Sequence, residues 1–320
     1  MKSNIKIKVV GVGGSGGNAI SRMAKTKLKG VELIAINADH QDLKKCRAHL
    51  KLRIGRQLTQ GLGTGMNPEI GRRAAEEQRE EIEGILKGSD LVFVTCGMGG
   101  GCGSGAAPVI AEIAKNLGAL TVAIVTTPFS FEGEGRRKIA ESGIRKLKEK
   151  VDTLISIQND KLLEILDPQT PVVSAFWVCD DILRQAVQGI SDLILLPGII
   201  NVDFADIRAI LQNSGTAIFG IGQAKGEKRA ETAARLALNS PLLDVSCKGA
   251  QGVLFNVSGG KDLSLSEIEE IAKVISQEIN PQASKENKLP TGQARVIFGA
   301  VQDEKLRKGE IKVTVIATGF

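Results

Sequence analysis

Four stretches of this sequence hold residue types whose spacing could do chemistry: GVGGSGGN at 11–18, GLGTGMNPE at 61–69, CGMGGGCGSG at 96–105 and NVDFAD at 201–206. Glycine costs about 0.5–1 kcal/mol per position relative to alanine, so three glycine-rich loops need a reason. One is reach: backbone N–H groups without side chains can close around a bulky anion. Gly11, Gly13 and Gly16 match G-x-G-x-x-G, and Asp39 follows about 20 residues on, the spacing of a dinucleotide site. Taken alone, that motif favours a nicotinamide or flavin enzyme, with a tight structural turn as the alternative. The loops at 96–105 and 61–69 change the reading. A dinucleotide needs one phosphate turn, whereas several can enclose a triphosphate. No G-x-x-x-x-G-K-[ST] is present, which excludes a P-loop enzyme.

The fourth stretch brings Asn201, Asp203 and Asp206 together. The two aspartates fall on one face of a starting helical turn, where carboxylates could orient a water or bind a cation. The alternative is an N-cap followed by an acidic first turn. This stretch also follows a helix of about 23 residues, which spans about 35 Å. The acids should therefore lie out of reach of the glycine loops of the same molecule.

Elements must position these groups. Apolar runs IKIKVV, VELIAIN, DLVFVT, ALTVAIVTT and DTLISIQ alternate with amphipathic stretches through residue 158, which predicts an α/β fold with a doubly wound parallel sheet covered on both faces. A long helix follows over 173–195, with Phe176, Cys179, Leu183, Ala186, Ile190 and Leu193 at three- and four-residue steps between Pro171 and Pro197. Beyond it, strands near 217–224, 252–259, 295–301 and 311–319, with helices near 203–212, 227–239 and 264–279, predict a smaller α/β or α+β domain. The division is 1–170 for the nucleotide-binding domain, 171–198 for the connecting helix and 199–320 for the C-terminal domain. The polar segment 280–295 reads as an exposed loop.

Composition narrows the classes. With 320 residues and 42% apolar content the chain can bury a core without staples. The odd set of five cysteines holds no C-x-x-C pair, which points to a reducing, cytoplasmic setting. His40 and His49 lack neighbouring ligands, so no metal site is assigned to protein side chains, and both histidines read as solvated surface. The apolar run at 193–200 is too short to span a bilayer. Net charge is +6, yet the basic residues are dispersed and aromatics make up 3%, which argues against nucleic acid as a partner.

In order along the chain, GVGGSGGN, GLGTGMNPE, GGGCGSG, TPFSFEGEGRR, NDKLL and NVDFAD resemble the FtsZ family of bacterial tubulin-like cell-division GTPases, from about Lys6 to Gly319. The resemblance implies GTP and GDP as ligands, with Mg2+ held mainly by the nucleotide phosphates. It also implies a head-to-tail homopolymer forming a division ring, located in the cytoplasm at the division site. Gly13, Gly14, Gly65 and the loop of Gly99, Gly100, Gly101, Cys102, Gly103, Ser104 and Gly105 are then the phosphate cradle, with Ser104 as hydroxyl donor. Asn18, Asn159 and Asp181 are the polar guanine contacts, Phe176 packs on the base, Glu132 meets the ribose and Arg136 a phosphate. Asp203, Asp206 and Asn201 would be supplied by the adjacent subunit to polarise the attacking water, so that hydrolysis is stimulated by assembly.

Several residues depart from the family pattern. Cys102 stands where threonine is usual, and a thiol is a weak donor. Trp177 and Cys179 replace arginine and alanine beside Phe176, and 284–295 looks like an insertion of about ten residues where connections are typically about 4–6 long. The chain ends at TGF, without the tail through which relatives reach membrane anchors, so it is expected to polymerise without attaching itself to a membrane, with division-site anchors and regulators as partners of the full-length protein. A non-hydrolysing tubulin-like scaffold and the NAD-dependent oxidoreductase are the alternative readings.

Overall fold

The computed structural model describes residues 5–320 apart from 27, 29, 165, 168, 197, 241–246, 280–293 and 304–305. Pro197 and all but the last two residues of the expected 280–295 loop lie outside the described residues. The chain forms two compact units, Met1–Gln188 and Gly189–Phe320.

The first unit contains β1 (Ile7–Val12), α1 (Gly13–Thr26), β2 (Val31–Asn37), α2 (His40–Lys45), β3 (Leu50–Arg53), α3 (Pro68–Glu77), α4 (Arg79–Leu86) and β4 (Leu91–Gly97). It continues with α5 (Ala107–Asn116), β5 (Leu120–Thr127), α6 (Glu134–Lys148), β6 (Thr153–Gln158) and α7 (Asn159–Leu163). Its strands lie in the order β3-β2-β1-β4-β5-β6, all parallel, with Ile7 level with both Val31 and Leu91. Such a sheet is buried on both faces, which is why β4 and β5 read as nearly continuous apolar runs, while β1 carries one charged residue, Lys8. Val10, Val94, Ile34 and Ile110 belong to the core on one side. Strand β3 was not expected: LKLR is a four-residue edge strand with two exposed positions, too short and polar to register as a run.

Chain order reverses between β1 and β4, since β1 pairs with both β2 and β4. Loops leaving the carboxyl ends of two such strands diverge and open a crevice. The loops here are those of Gly13 and Gly99. Before α5 the backbone makes a π-helical turn over Cys102–Ala106, mostly within the stretch read from the sequence as a glycine loop.

Helix α8 (Val172–Leu195) runs across the boundary of the two units. Cys179, Leu183, Ala186, Ile190 and Leu193 are buried, as their period requires. Phe176, counted with them in the sequence, is exposed instead.

The second unit holds α9 (Phe204–Leu211), β7 (Gly215–Lys225), α10 (Arg229–Leu238), β8 (Gly252–Gly259), α11 (Leu265–Ile279), β9 (Arg295–Gln302) and β10 (Glu310–Thr318). Its strand order is β7-β10-β8-β9, antiparallel except for β8 with β9. Ala233 and Ala237 of α10 pack with Ile271 and Ile275 of α11 over Phe255 and Val315. Arg229 enters this unit buried, its guanidinium donating to Asp262 Oδ2 at 2.7 Å and to Glu267 Oε1 at 2.5 Å.

Candidate functional site: a glycine-lined cleft at the strand switch point

A cleft of about 600 Å3 lies at the carboxyl ends of β1, β4 and β5, within the first unit. Its floor comes from two loops. At the end of β1, Gly13 turns with φ +73, and a methyl there would meet Cys102 Cβ at 3.0 Å. At the end of β4, Gly99 turns with φ +95 and donates its N–H to Ser104 Oγ at 2.9 Å. The remaining glycines of this loop divide by role. A methyl on Gly100 would have no atom within 4 Å, whereas one on Gly101 would lie 2.7 Å from the Asn67 carbonyl and one on Gly105 2.8 Å from Pro68 C. Gly101 and Gly105 thus let the 61–69 loop pack directly against the loop after β4, and Gly100 faces open space.

That third loop turns repeatedly through positive φ at Gly61, Gly63, Gly65 and Met66. It ends where the Asn67 side chain caps α3, accepting from Glu69 N at 2.9 Å, with Pro68 in the first turn. Asp39 caps α2 in the same way, its Oδ1 accepting from Gln41 N at 2.8 Å and Asp42 N at 3.0 Å. The acid that an NAD reading would assign to a ribose therefore already has backbone partners.

Of the residues predicted for nucleotide binding, Gly13, Gly14, Asn18, Gly65, Gly100, Gly101, Cys102, Gly103, Glu132, Arg136, Asn159 and Phe176 line the cleft. Gly99, Ser104, Gly105 and Asp181 do not. Ser104 is buried and lies off the cleft lining, where a ligand-facing donor was expected; its oxygen accepts from Gly99 N and its O–H is directed to Met98 Sδ at 3.9 Å. Cys102 lines the cleft, but its thiol donates to Asn37 Oδ1 at 3.6 Å, and burial raises its pKa above the usual thiol value.

At the opposite end, Phe176 meets the edge of Phe129 at 5.4 Å between centroids, and Phe129 stacks on Phe131 at 4.9 Å. Glu132 Oε1 accepts from Phe129 N at 2.9 Å, and Oε2 is paired with the Arg136 guanidinium one turn away. Asn159 is 5% exposed, and its Oδ1 is a buried acceptor without a hydrogen-bond partner. Such an atom is costly unless a donor meets it. Together with the open space at Gly100, it fits a ligand that carries both N–H donors and anionic oxygens.

The carboxylate beside Phe176 is Asp180, which sequence reasoning passed over for Asp181. Asp180 lines the cleft. Asp181 instead accepts from Arg184 Nε at 2.7 Å and Gln185 Nε2 at 2.7 Å. Burial acts to raise the Asp181 carboxyl, but these donors hold it below the usual carboxylate range. The signal was available, because residues four apart share a helix face and residues five apart do not. Burial pushes Asp180 up to about 6, against the Arg22 guanidinium.

In the second unit, Asp203 is exposed at the N-cap position of α9, with no side-chain capping bond. Asp206 Oδ1 accepts from Arg295 Nη2 at 3.1 Å, and Asn201 Oδ1 accepts from Gly198 N at 2.8 Å. His49, read as plain surface, is exposed but its Nδ1 accepts from Leu33 N at 2.9 Å. No described helix is long and apolar enough to cross a membrane.

Known proteins resemble this chain in sequence and fold. The model of the Tubulin/FtsZ family, GTPase domain, matches residues 6–167, and that of the FtsZ family, C-terminal domain, matches residues 215–320. FtsZ of M. jannaschii, solved as an empty dimer, is 46% identical with a TM-score of 0.92, over 100% of this chain and 89% of that one. A mutant of the same protein gives 47% and 0.91, over 98% and 91%. CetZ2 of Haloferax volcanii, solved as a GTPγS-bound protofilament, shares the fold at 20% identity and a TM-score of 0.80, over 98% of this chain and 92% of that one. With its glycine-lined cleft at the switch point and this likeness along its whole length, the chain belongs to the Tubulin/FtsZ family of GTPases and is a tubulin-like cytoskeletal protein.

Proposed function

We propose that the chain binds GTP in the cleft of the first unit, assembles head to tail with copies of itself, and hydrolyses the nucleotide when Asp203, Asp206 and Asn201 of one copy reach the nucleotide of the next. In this reading the phosphates lie over Gly13, Gly14 and Gly100, the base packs on Phe176, and Asp180, Asn18 and Asn159 take its polar edge. Asp180 replaces Asp181 in this role because it lines the cleft. An ionised carboxylate accepts from the guanine N1–H and 2-amino groups, and would face a lone pair at adenine N1. A Mg2+ ion would arrive with the triphosphate, neutralising charge on its oxygens.

The observation that carries the reading is Asp203, an exposed carboxylate that makes no capping bond although it stands at an N-cap. It is free of the commonest structural use of an aspartate at that position. The relatives solved as a dimer and as a protofilament support self-assembly. A filament at the division site of the cytoplasm, tethered by anchors and tuned by regulators, is the cellular role we infer.

Phosphate release per molecule, measured over a range of protein concentrations, tests this reading. Specific activity rises above a threshold, and Asp203→Ala keeps nucleotide affinity while losing turnover. Equal activity per molecule at every dilution would overturn it.

A further inference from the structure

The cleft shares a wall with a second groove. Asn18, Phe176 and Asp180 line both, and Arg22, Lys25 and Trp177 are among the other residues of the groove. Arg22 stands in this wall between α1 and α8. Its Nε donates to Asp180 Oδ2 at 3.0 Å, and its guanidinium carbon lies 5.1 Å from the centroid of the Trp177 ring. The guanidinium is held on one edge by a carboxylate and on one face by an indole, both attractive to a cation. Trp177 is the only tryptophan of the chain and is 54% exposed, so core packing does not account for it.

The pairing matters because Asp180 is buried. Burial disfavours the ionised form, and Arg22 acts against it. Other charges near the carboxylate or lining the same cleft and groove are Asp181 on its own helix, Lys25 on α1, Asp39 and Asp42 at α2, Glu132, and Arg136. An ionised carboxylate offers two acceptor oxygens, whereas a neutral carboxyl aims an O–H at one of the two places where guanine presents a donor.

We propose that Arg22, steadied by Trp177, is a positioning residue that keeps Asp180 an ionised, oriented double acceptor and so sets selectivity for a purine with adjacent N1–H and 2-amino donors. The inference rests on the reading of the cleft as a guanine nucleotide site. Binding of GTP, of inosine triphosphate, which lacks the 2-amino group, and of ATP is measured by calorimetry at neutral pH for the whole chain and for Arg22→Met, Arg22→Lys and Trp177→Leu. Arg22→Met lowers the preference for GTP over inosine triphosphate by about tenfold, the worth of one hydrogen bond to a charged group. Arg22→Lys restores part of that preference, and Trp177→Leu gives an intermediate loss. An unchanged ratio in Arg22→Met overturns the proposal, as does equal weakening of all three nucleotides. Should Arg22→Met fail to fold, an unchanged ratio in both Arg22→Lys and Trp177→Leu overturns it instead. If the unaltered chain shows no preference for GTP over ATP, the guanine reading itself falls, a result distinct from a preference that survives the loss of Arg22.

Discussion

Phe176 and Asp180 stand one helical turn apart on α8 and both line the cleft, while Asp181, the next residue, turns its carboxylate to Arg184 and Gln185. Two adjacent aspartates therefore have separable roles. Asp180→Asn weakens GTP binding by about tenfold to a hundredfold, because an amide turns one acceptor into a donor. Asp181→Asn loses only a partly exposed pair with Arg184, an interaction worth about 0–1 kcal/mol, and leaves GTP affinity within about fivefold by the same scale. Calorimetric titration of both variants checks the assignment, and the opposite ranking would return the role to Asp181.

Asp180 also predicts a pH dependence with a definite sign. Burial pushes its carboxyl up to about 6, and guanine binding uses the ionised form. GTP affinity should fall as pH drops below that value, approaching tenfold per pH unit for one linked proton, while Asp180→Asn shows no such limb. Folding of the nucleotide-free protein responds in the other direction. The folded state holds this proton where the unfolded chain has released it, so stability from this group declines as pH rises from the ordinary value of 3.8 to about 6. Melting temperature against pH, compared between the unaltered chain and Asp180→Asn, isolates the contribution.

Much of this arrangement was legible in the sequence, and the exceptions have physical causes. Strands β4 and β5 announce themselves because a parallel sheet buried on both faces leaves little polar alternation, and glycine loops behind such strands mark the crevice. Strand β3 has two exposed positions in four and carries no comparable pattern. The function of individual glycines was not legible either. Gly100 and Gly101 are identical neighbours, yet one faces open space and the other the Asn67 backbone. The buried turn of Ser104 toward Gly99 likewise depends on backbone direction in a π-helical turn, for which a glycine-rich segment has no signature. Asp180 was legible and was missed by one residue of helical phase.

Cys102 gives a third prediction. Its thiol lines the cleft, burial keeps it protonated at neutral pH, and it donates weakly to Asn37 Oδ1 at 3.6 Å. Cys102→Thr supplies a hydroxyl, a stronger donor toward phosphate oxygens, and tightens GTP binding by about threefold to tenfold. Cys102→Val, of matching shape but without a donor, brings no gain. Reaction with iodoacetamide at neutral pH should be slow at Cys102 compared with an exposed thiol, because little thiolate is present. Peptide mapping of the alkylated protein measures it.

Gly100 and Gly101 separate binding from stability. A methyl on Gly101 would lie 2.7 Å from the Asn67 carbonyl and 2.8 Å from Thr64 Cβ. Neither neighbour can withdraw freely, since Asn67 caps α3 and Thr64 is buried in the same loop. Gly101→Ala must push the 61–69 loop away from the loop after β4, at a cost of about 1–3 kcal/mol for an overpacked contact. Both melting temperature and GTP affinity fall. Gly100→Ala meets no atom within 4 Å, so melting should be unchanged, yet its methyl would stand in the cleft where the phosphates are proposed to approach the backbone. GTP affinity then falls with no loss of stability. A Gly100→Ala variant that binds GTP as the unaltered chain does would remove the phosphates from this position, whereas one that melts early would mean the loop is packed more tightly than its open side implies.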